Sequence, residues 1–135
     1  MNVNRRSFLA SSALAATGFF AGCQSTHPRG ISPNSKLCHA CVGVGNMGWA
    51  DISNFRTHAR AQIVALCDVD QNHLAKAAKE FPGARTYTDW REMLAKEGDR
   101  IDSVNIAVPD HHHTAIPVNA MRAGKHVHLQ KPPSH

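Results

Sequence analysis

The sequence predicts an α/β domain: a doubly wound sheet of five parallel strands with helices on both faces. Three observations carry that expectation. Short apolar runs alternate with helix-period segments over about 100 residues. One of the runs, 62–67 (Gln-Ile-Val-Ala-Leu-Cys), is nearly continuous in apolar side chains, as in strands covered on both faces. A cluster of three glycines, Gly43, Gly45 and Gly48, falls where the first strand meets the first helix.

The elements follow in order. Residues 37–44 read as a first strand ending in glycines. Residues 46–55 read as a helix with Met47, Trp49, Ile52 and Phe55 available for burial, and 62–67 as the second strand. Asp70 is placed to cap the next helix. Its Leu74, Ala77, Ala78 and Phe81 form one apolar stripe at i, i+3, i+4 and i+7, and Pro82-Gly83 stops it. A short third strand is expected at 85–87. Thr88 is expected to cap a helix to about Lys96, with Trp90, Met93 and Leu94 inward and Gly98 closing it. The fourth strand spans 103–108 and stops at Pro109. The next helix runs from about Thr114 to Ala123, with Pro117 in its first turn, where a missing N–H costs little, and Gly124 beyond its end. Residues 125–130 form the fifth strand. The expected sheet stops short of a sixth strand and of a C-terminal α/β domain.

The N-terminus reads as an address. Arg5-Arg6-Ser7-Phe8-Leu9 opens an apolar run to Ala21, 14 residues from Phe8, too short to span a bilayer at about 20 residues. The pair of arginines resembles a twin-arginine signal, and Phe20-Ala21-Gly22-Cys23 resembles a lipoprotein box that would lipidate Cys23. The expected organisation is a signal at 1–22, a Pro/Ser/Gly-rich linker at 23–35 and the folded domain at 36–135. The expected location is periplasmic, with Cys23 as the candidate membrane anchor.

Composition excludes several classes. With 42% apolar and 19% charged residues the 135-residue chain is an ordinary globular protein. The formal charge is +5; without residues 1–22, 13 basic and 10 acidic residues leave +3. With no basic run interleaved with aromatics, nucleic acid is not an expected partner. Cys38-x-x-Cys41 admits a redox or zinc reading. On a strand, however, residues three apart face opposite sides, so the two sulfurs diverge. His111-His112-His113 and His126-x-His128 lack carboxylate or cysteine partners at ligand spacing, and no metal is expected.

The glycines carry the chemistry. Gly43-Val44-Gly45-Asn46-Met47-Gly48 is a G-x-G-x-x-G fingerprint after a strand and before a helix. The first glycine permits the tight turn, the second lets a pyrophosphate approach the backbone, and the third lets helix and strand pack closely. Free N–H groups at the helix start then face the phosphates. Asp68, 20 residues after Gly48 at the end of the second strand, is placed to accept from ribose hydroxyls. Its charge would repel a 2′-phosphate, so NAD is expected over NADP. Asp70 is its rival. The expected fold is a Rossmann dinucleotide-binding domain.

Four segments together resemble the glucose–fructose oxidoreductase/inositol dehydrogenase (Gfo/Idh/MocA) family: 40–49, 64–70, Val108-Pro109-Asp110-His111-His112-His113, and 124–132, which ends Gln130-Lys131-Pro132. The resemblance covers roughly residues 36–135. It implies a second α/β domain that binds substrate and builds a homo-oligomer. It also implies a carbohydrate-like or polyol substrate. It places Lys131 at the nicotinamide and substrate hydroxyl as the catalytic lysine, within Gln130-Lys131-Pro132, the family's Glu-Lys-Pro variant. Pro109 and His113 would shape the nicotinamide-ribose side. The expected activity is hydride transfer between nicotinamide and a hydroxylated carbon. Two alternatives stand beside it: an NAD-dependent glycoside hydrolase of the same family, and a non-catalytic nucleotide-binding fragment.

Overall fold

The computed structural model describes residues 35–132. The expected signal, the Cys23 anchor and all but the last residue of the expected linker lie outside the described residues. The elements are β1 (Leu37–Val42), α1 (Asn46–Thr57), β2 (Ala61–Cys67), α2 (Gln71–Glu80), β3 (Arg85–Tyr87), α3 (Trp90–Glu97), β4 (Ser103–Ile106), α4 (Ala115–Arg122) and β5 (His126–Leu129). Single 3₁₀ turns sit at Gly98–Arg100 and Asp110–His112.

The sheet order is β3-β2-β1-β4-β5, and every neighbouring pair is parallel. From β1 the chain steps outward through β2 to β3, then crosses back to β4 and steps the other way to β5. Right-handed crossovers therefore send α1 and α2 to one face and α3 and α4 to the other. The strand side chains divide accordingly. Ala40, Val42, Ala65, Cys67, Val104 and Ile106 pack with Met93, Ile116 and Ala120 of α3 and α4. Cys41, Ile63 and Leu66 pack with Ile52, Leu74 and Ala77 of α1 and α2. Alternate residues of the strands are thus buried on opposite faces, which explains the nearly unbroken apolar run at 62–67.

Cys41 faces the α1/α2 side while its neighbours Ala40 and Val42 face the other, so period-2 alternation sends Cys38 away from Cys41. The two form no disulfide with each other. Burial, with the Asp51 carboxylate adding to it, pushes the Cys41 thiol far above its ordinary value, so it stays protonated.

Local chemistry departs from expectation in a few places. The cap of α3 is Asp89, whose carboxylate accepts from Arg91 N at 2.8 Å; Thr88 is left at the rim of a cleft instead. Asp70 caps α2 as expected, accepting from Asn72 N at 2.8 Å, and that bond leads in holding its carboxyl below the ordinary value. Met47 is 57% exposed. The buried stripe of α1 runs through Gly48 and Ile52 with Phe55 beside it, and Met47 lies about 100° off that line. β1 stops at Val42 because Gly43 turns the chain with φ 80.

Two polar clusters sit inside this apolar frame. Glu97, 2% exposed, holds Arg85 and Tyr87 of the three-residue edge strand β3. Burial pushes the Glu97 carboxyl up, but the bonds from Arg85 and Tyr87 outweigh it and hold it below the usual value. On the α1 side of the sheet, His39 Nδ1 shares a 2.6 Å hydrogen bond with Ser103 Oγ. Asn105 donates to Asp51 at 3.3 Å and accepts from His128 Nδ1 at 2.6 Å.

Candidate functional site

A cleft of about 530 Å³ opens at the C-terminal ends of β1, β2 and β4. This is where the strand order reverses, because the connections from β1 and from β4 leave in opposite directions and part the loops above. Gly43, Gly45, Asn46, Asp68 and Pro109 line it.

The glycine loop is built for close approach. A Cβ on Gly43 would collide with the Ala107 carbonyl, and one on Gly48 with the Gly43 carbonyl. The turn is therefore packed against the end of β4, and the start of α1 against the turn. Asn46 begins α1 at φ 44, a left-handed conformation that asparagine tolerates better than most residues. Gly45 is the N-cap and supplies no side-chain bond, and the first turn of α1 holds no acid. The amides at the start of α1 thus meet no protein carboxylate from their own turn, which suits an incoming anion.

Asp68 stands beside this loop. Its Oδ2 accepts from Val44 N at 2.8 Å and its Oδ1 from Asp70 N at 2.9 Å. Two backbone amides fix the carboxylate at the cleft, and each oxygen keeps a lone pair for a hydroxyl. Cys67, one residue earlier, also reaches the cleft; burial first, then the Asp68 charge, pushes its thiol up to about 12, so it is not a nucleophile at neutral pH.

The remaining expected residues lie apart from the lining. Met47 points outward, and Gly48 sits beneath the loop. Gln130 extends the β4–β5 ladder through its amide to Ile106 O at 3.1 Å. Lys131 follows it, exposed, beyond the end of β5. His113 differs most from expectation: it is 0% exposed and does not line the cleft. Its Nε2 lies 2.6 Å from Val108 O and its Nδ1 3.2 Å from Lys131 O, so it ties two loops together instead of forming a rim.

Of the histidine run after β4, which the resemblance sets close to the cofactor, His111 and His112 reach the cleft with their rings 4.3 Å apart. One feature escaped the sequence. His73, in the first turn of α2, places its ring in the space that a Cβ on Gly45 would take. Nothing in local spacing marks His73, because its approach to Gly45 depends on how α2 docks beside α1. Among the described residues, no three His, Cys, Asp or Glu side chains gather as a metal site would require.

A glycine turn too tight for side chains, an uncapped helix start and an amide-held carboxylate at the end of β2 define a dinucleotide-binding domain of Rossmann type. Residues 38–135 match the oxidoreductase family with an NAD-binding Rossmann fold, known as Gfo/Idh/MocA, and the chain belongs to that family.

Its relatives include an inositol 2-dehydrogenase of Corynebacterium glutamicum, 38% identical over 93 residues, covering 67% of this chain and 27% of that protein. A glycosyl hydrolase family 109 protein of a Shewanella species is 25% identical over 157 residues, covering 97% of this chain and 34% of that protein. Among solved structures, scyllo-inositol dehydrogenase of Lactobacillus casei with bound NAD(H) and scyllo-inositol superposes with a TM-score of 0.68 at 29% identity, covering 74% of this chain and 29% of that one. The WlbA dehydrogenase of Chromobacterium violaceum, in complex with NADH and UDP-GlcNAcA, gives 0.70 at 28% identity, over 77% and 30%. The chain spans about a third or less of the length of these relatives.

Proposed function

We propose that this chain is the NAD(H)-binding domain of an exported oxidoreductase acting on a polyol, sugar or related hydroxylated compound. The observation that carries the cofactor choice is Asp68, held at the cleft by the amides of Val44 and Asp70. A fixed carboxylate there accepts from ribose 2′- and 3′-hydroxyls and repels a 2′-phosphate. Gly45, Asn46 and Met47 would hold the diphosphate through backbone amides, with Gly43, whose own amide donates to Cys67 O, shaping the turn and Gly48 permitting the packing beneath. The nicotinamide supplies hydride acceptance when bound. Lys131 and Gln130, at the end of β5, would stand on the substrate side, with Lys131 orienting the substrate hydroxyl or assisting its proton transfer. Pro109 would border the nicotinamide-ribose side.

Titration of the protein with NADH and NADPH tests the cofactor reading. NADH is expected to bind about tenfold more tightly or better, since a buried like-charge contact costs more than 1 kcal/mol. Equal affinity, or tighter NADPH, overturns it. The polyol or sugar class is supported by the inositol dehydrogenases and the UDP-sugar dehydrogenase among the relatives. The whole protein would be a homo-oligomer, as the family resemblance implies. Export rests on the Arg5-Arg6 leader and the Cys23 lipid-anchor candidate. Recovery of the protein in the cytoplasmic fraction alone would remove that part.

A second reading, glycoside hydrolysis with a retained NAD, is favoured by one observation. The family 109 relatives align over 97% of this chain, the N-terminal segment included, while the inositol dehydrogenase aligns over 67%. Sugar release from an aryl glycoside without net NADH would select the hydrolase; NADH accumulating with a free polyol would select the dehydrogenase.

A further inference from the structure

Among the described residues lining the cleft there is no lysine and no arginine, yet two carboxylates, Asp68 and Asp70, stand on its wall. A dinucleotide brings a doubly negative diphosphate into that surrounding. Backbone amides at the start of α1 offer partial charge only. Imidazole N–H groups that can add to those amides are offered along the lining by His73, His111 and His112. Lys76, one turn beyond His73 on α2, is drawn onto the Trp49 ring at 5.0 Å and is not among the lining residues.

Of the three imidazoles, His73 has the defined position. Its Nδ1–Cε1 edge occupies the space beside the Gly45 Cα, where the backbone is bare. Gly45 is the N-cap of α1, so the ring flanks the amides that would take the phosphates. Asp70 Oδ2 lies 3.7 Å from His73 Nδ1. The ring is 40% exposed, neither locked in the core nor loose in solvent.

We infer that His73 is a diphosphate-contacting residue of this cofactor site, its ring N–H donating to a phosphate oxygen beside the bare Gly45 backbone. The inference rests on the NAD-binding reading above. The titratable groups that share the cleft with His73 are Asp70 on its own helix cap, Asp68 from the end of β2, and His111 and His112 from the turn after β4. Because those four remain in a His73 variant, the difference between variant and native protein isolates His73.

The test is calorimetric or Trp-fluorescence titration of the protein with NADH and with ADP-ribose. His73→Ala is expected to weaken both ligands about fivefold or more, as loss of a charge-assisted bond to a phosphate does. His73→Arg, which keeps an N–H donor, is expected to hold the native affinity. Affinity of His73→Ala within twofold of native overturns the inference. So does a loss confined to NADH, which would place the contact on the nicotinamide half. Failure of the native protein to bind either probe would instead overturn the NAD-binding reading, and the inference with it.

Discussion

The imidazole of His113 is wholly buried, with Nδ1 3.2 Å from the carbonyl oxygen of Lys131 and Nε2 2.6 Å from that of Val108. Both partners accept, so each bond needs a ring N–H, and a neutral ring supplies one. The histidine thus ties the loop after β4 to the backbone of the lysine after β5. It acts on the candidate catalytic residue through the main chain, without facing the cleft.

His113→Ala should therefore release the Lys131 backbone and remove the ring donor that lies between the two carbonyls. Turnover is expected to fall about tenfold or more, since small misplacement of a reacting group is costly, while NADH affinity changes by less than about threefold. Steady-state kinetics alongside NADH titration separates the two. An equal loss in both would mean that the ring supports the cofactor cleft directly.

Gly43→Ala is expected to destabilise the domain by about 2–4 kcal/mol, because φ 80 strains any side chain and the Cβ would meet the Ala107 carbonyl. Gly83→Ala is the control: nothing lies within 4 Å of the added carbon, and a change within about 0.5 kcal/mol is expected. Urea unfolding of the two variants side by side reads the difference.

Between about pH 6.5 and pH 4, stability should fall on acidification through the buried His39 ring. Burial, with the charge of His128 adding to it, lowers the His39 pKa to about 4 from 6.5. The unfolded chain binds a proton on this ring between those values and the folded chain does not. Stability is thus full above about pH 6.5, falls as the pH drops toward 4, and levels off below, with a loss on the order of 2–3 kcal/mol. His39→Gln keeps a partner for Ser103 Oγ but does not titrate. Its unfolding free energy is expected to be flatter across that window, and an unchanged slope would assign the effect to another group.

Glu97→Gln should loosen β3 more than any other strand. The substitution leaves Arg85 without its counter-charge, although Arg85 is 46% exposed and water screens much of the loss. A destabilisation of about 1–3 kcal/mol is expected. Hydrogen exchange should report it first at the Asp68 amide, which donates to Tyr87 O at 3.1 Å. Since Asp68 faces the cofactor cleft, NADH binding should weaken in parallel.

The sequence by itself determined the alternation of strand and helix, the two-faced burial of the sheet, and the glycine turn with an acid at the end of β2. These are local: period-2 and 3.6-residue patterns, and a spacing of 20 residues across one β-α-β unit, express themselves wherever the segment docks. The Asp70 cap was legible for the same reason, while Thr88 was mistaken for a cap because Asp89 follows it by one residue. Only the tertiary structure decided what meets across the sheet. Once β4 lies beside β1, His39 reaches Ser103, 64 positions away, and Asp51 reaches Asn105, 54 away. The docking of α2 against α1 puts His73 on Gly45, and the pairing of β5 with β4 brings Lys131 O within reach of His113. Such pairs have no sequence period to announce them, because their distance is set by strand order and helix packing.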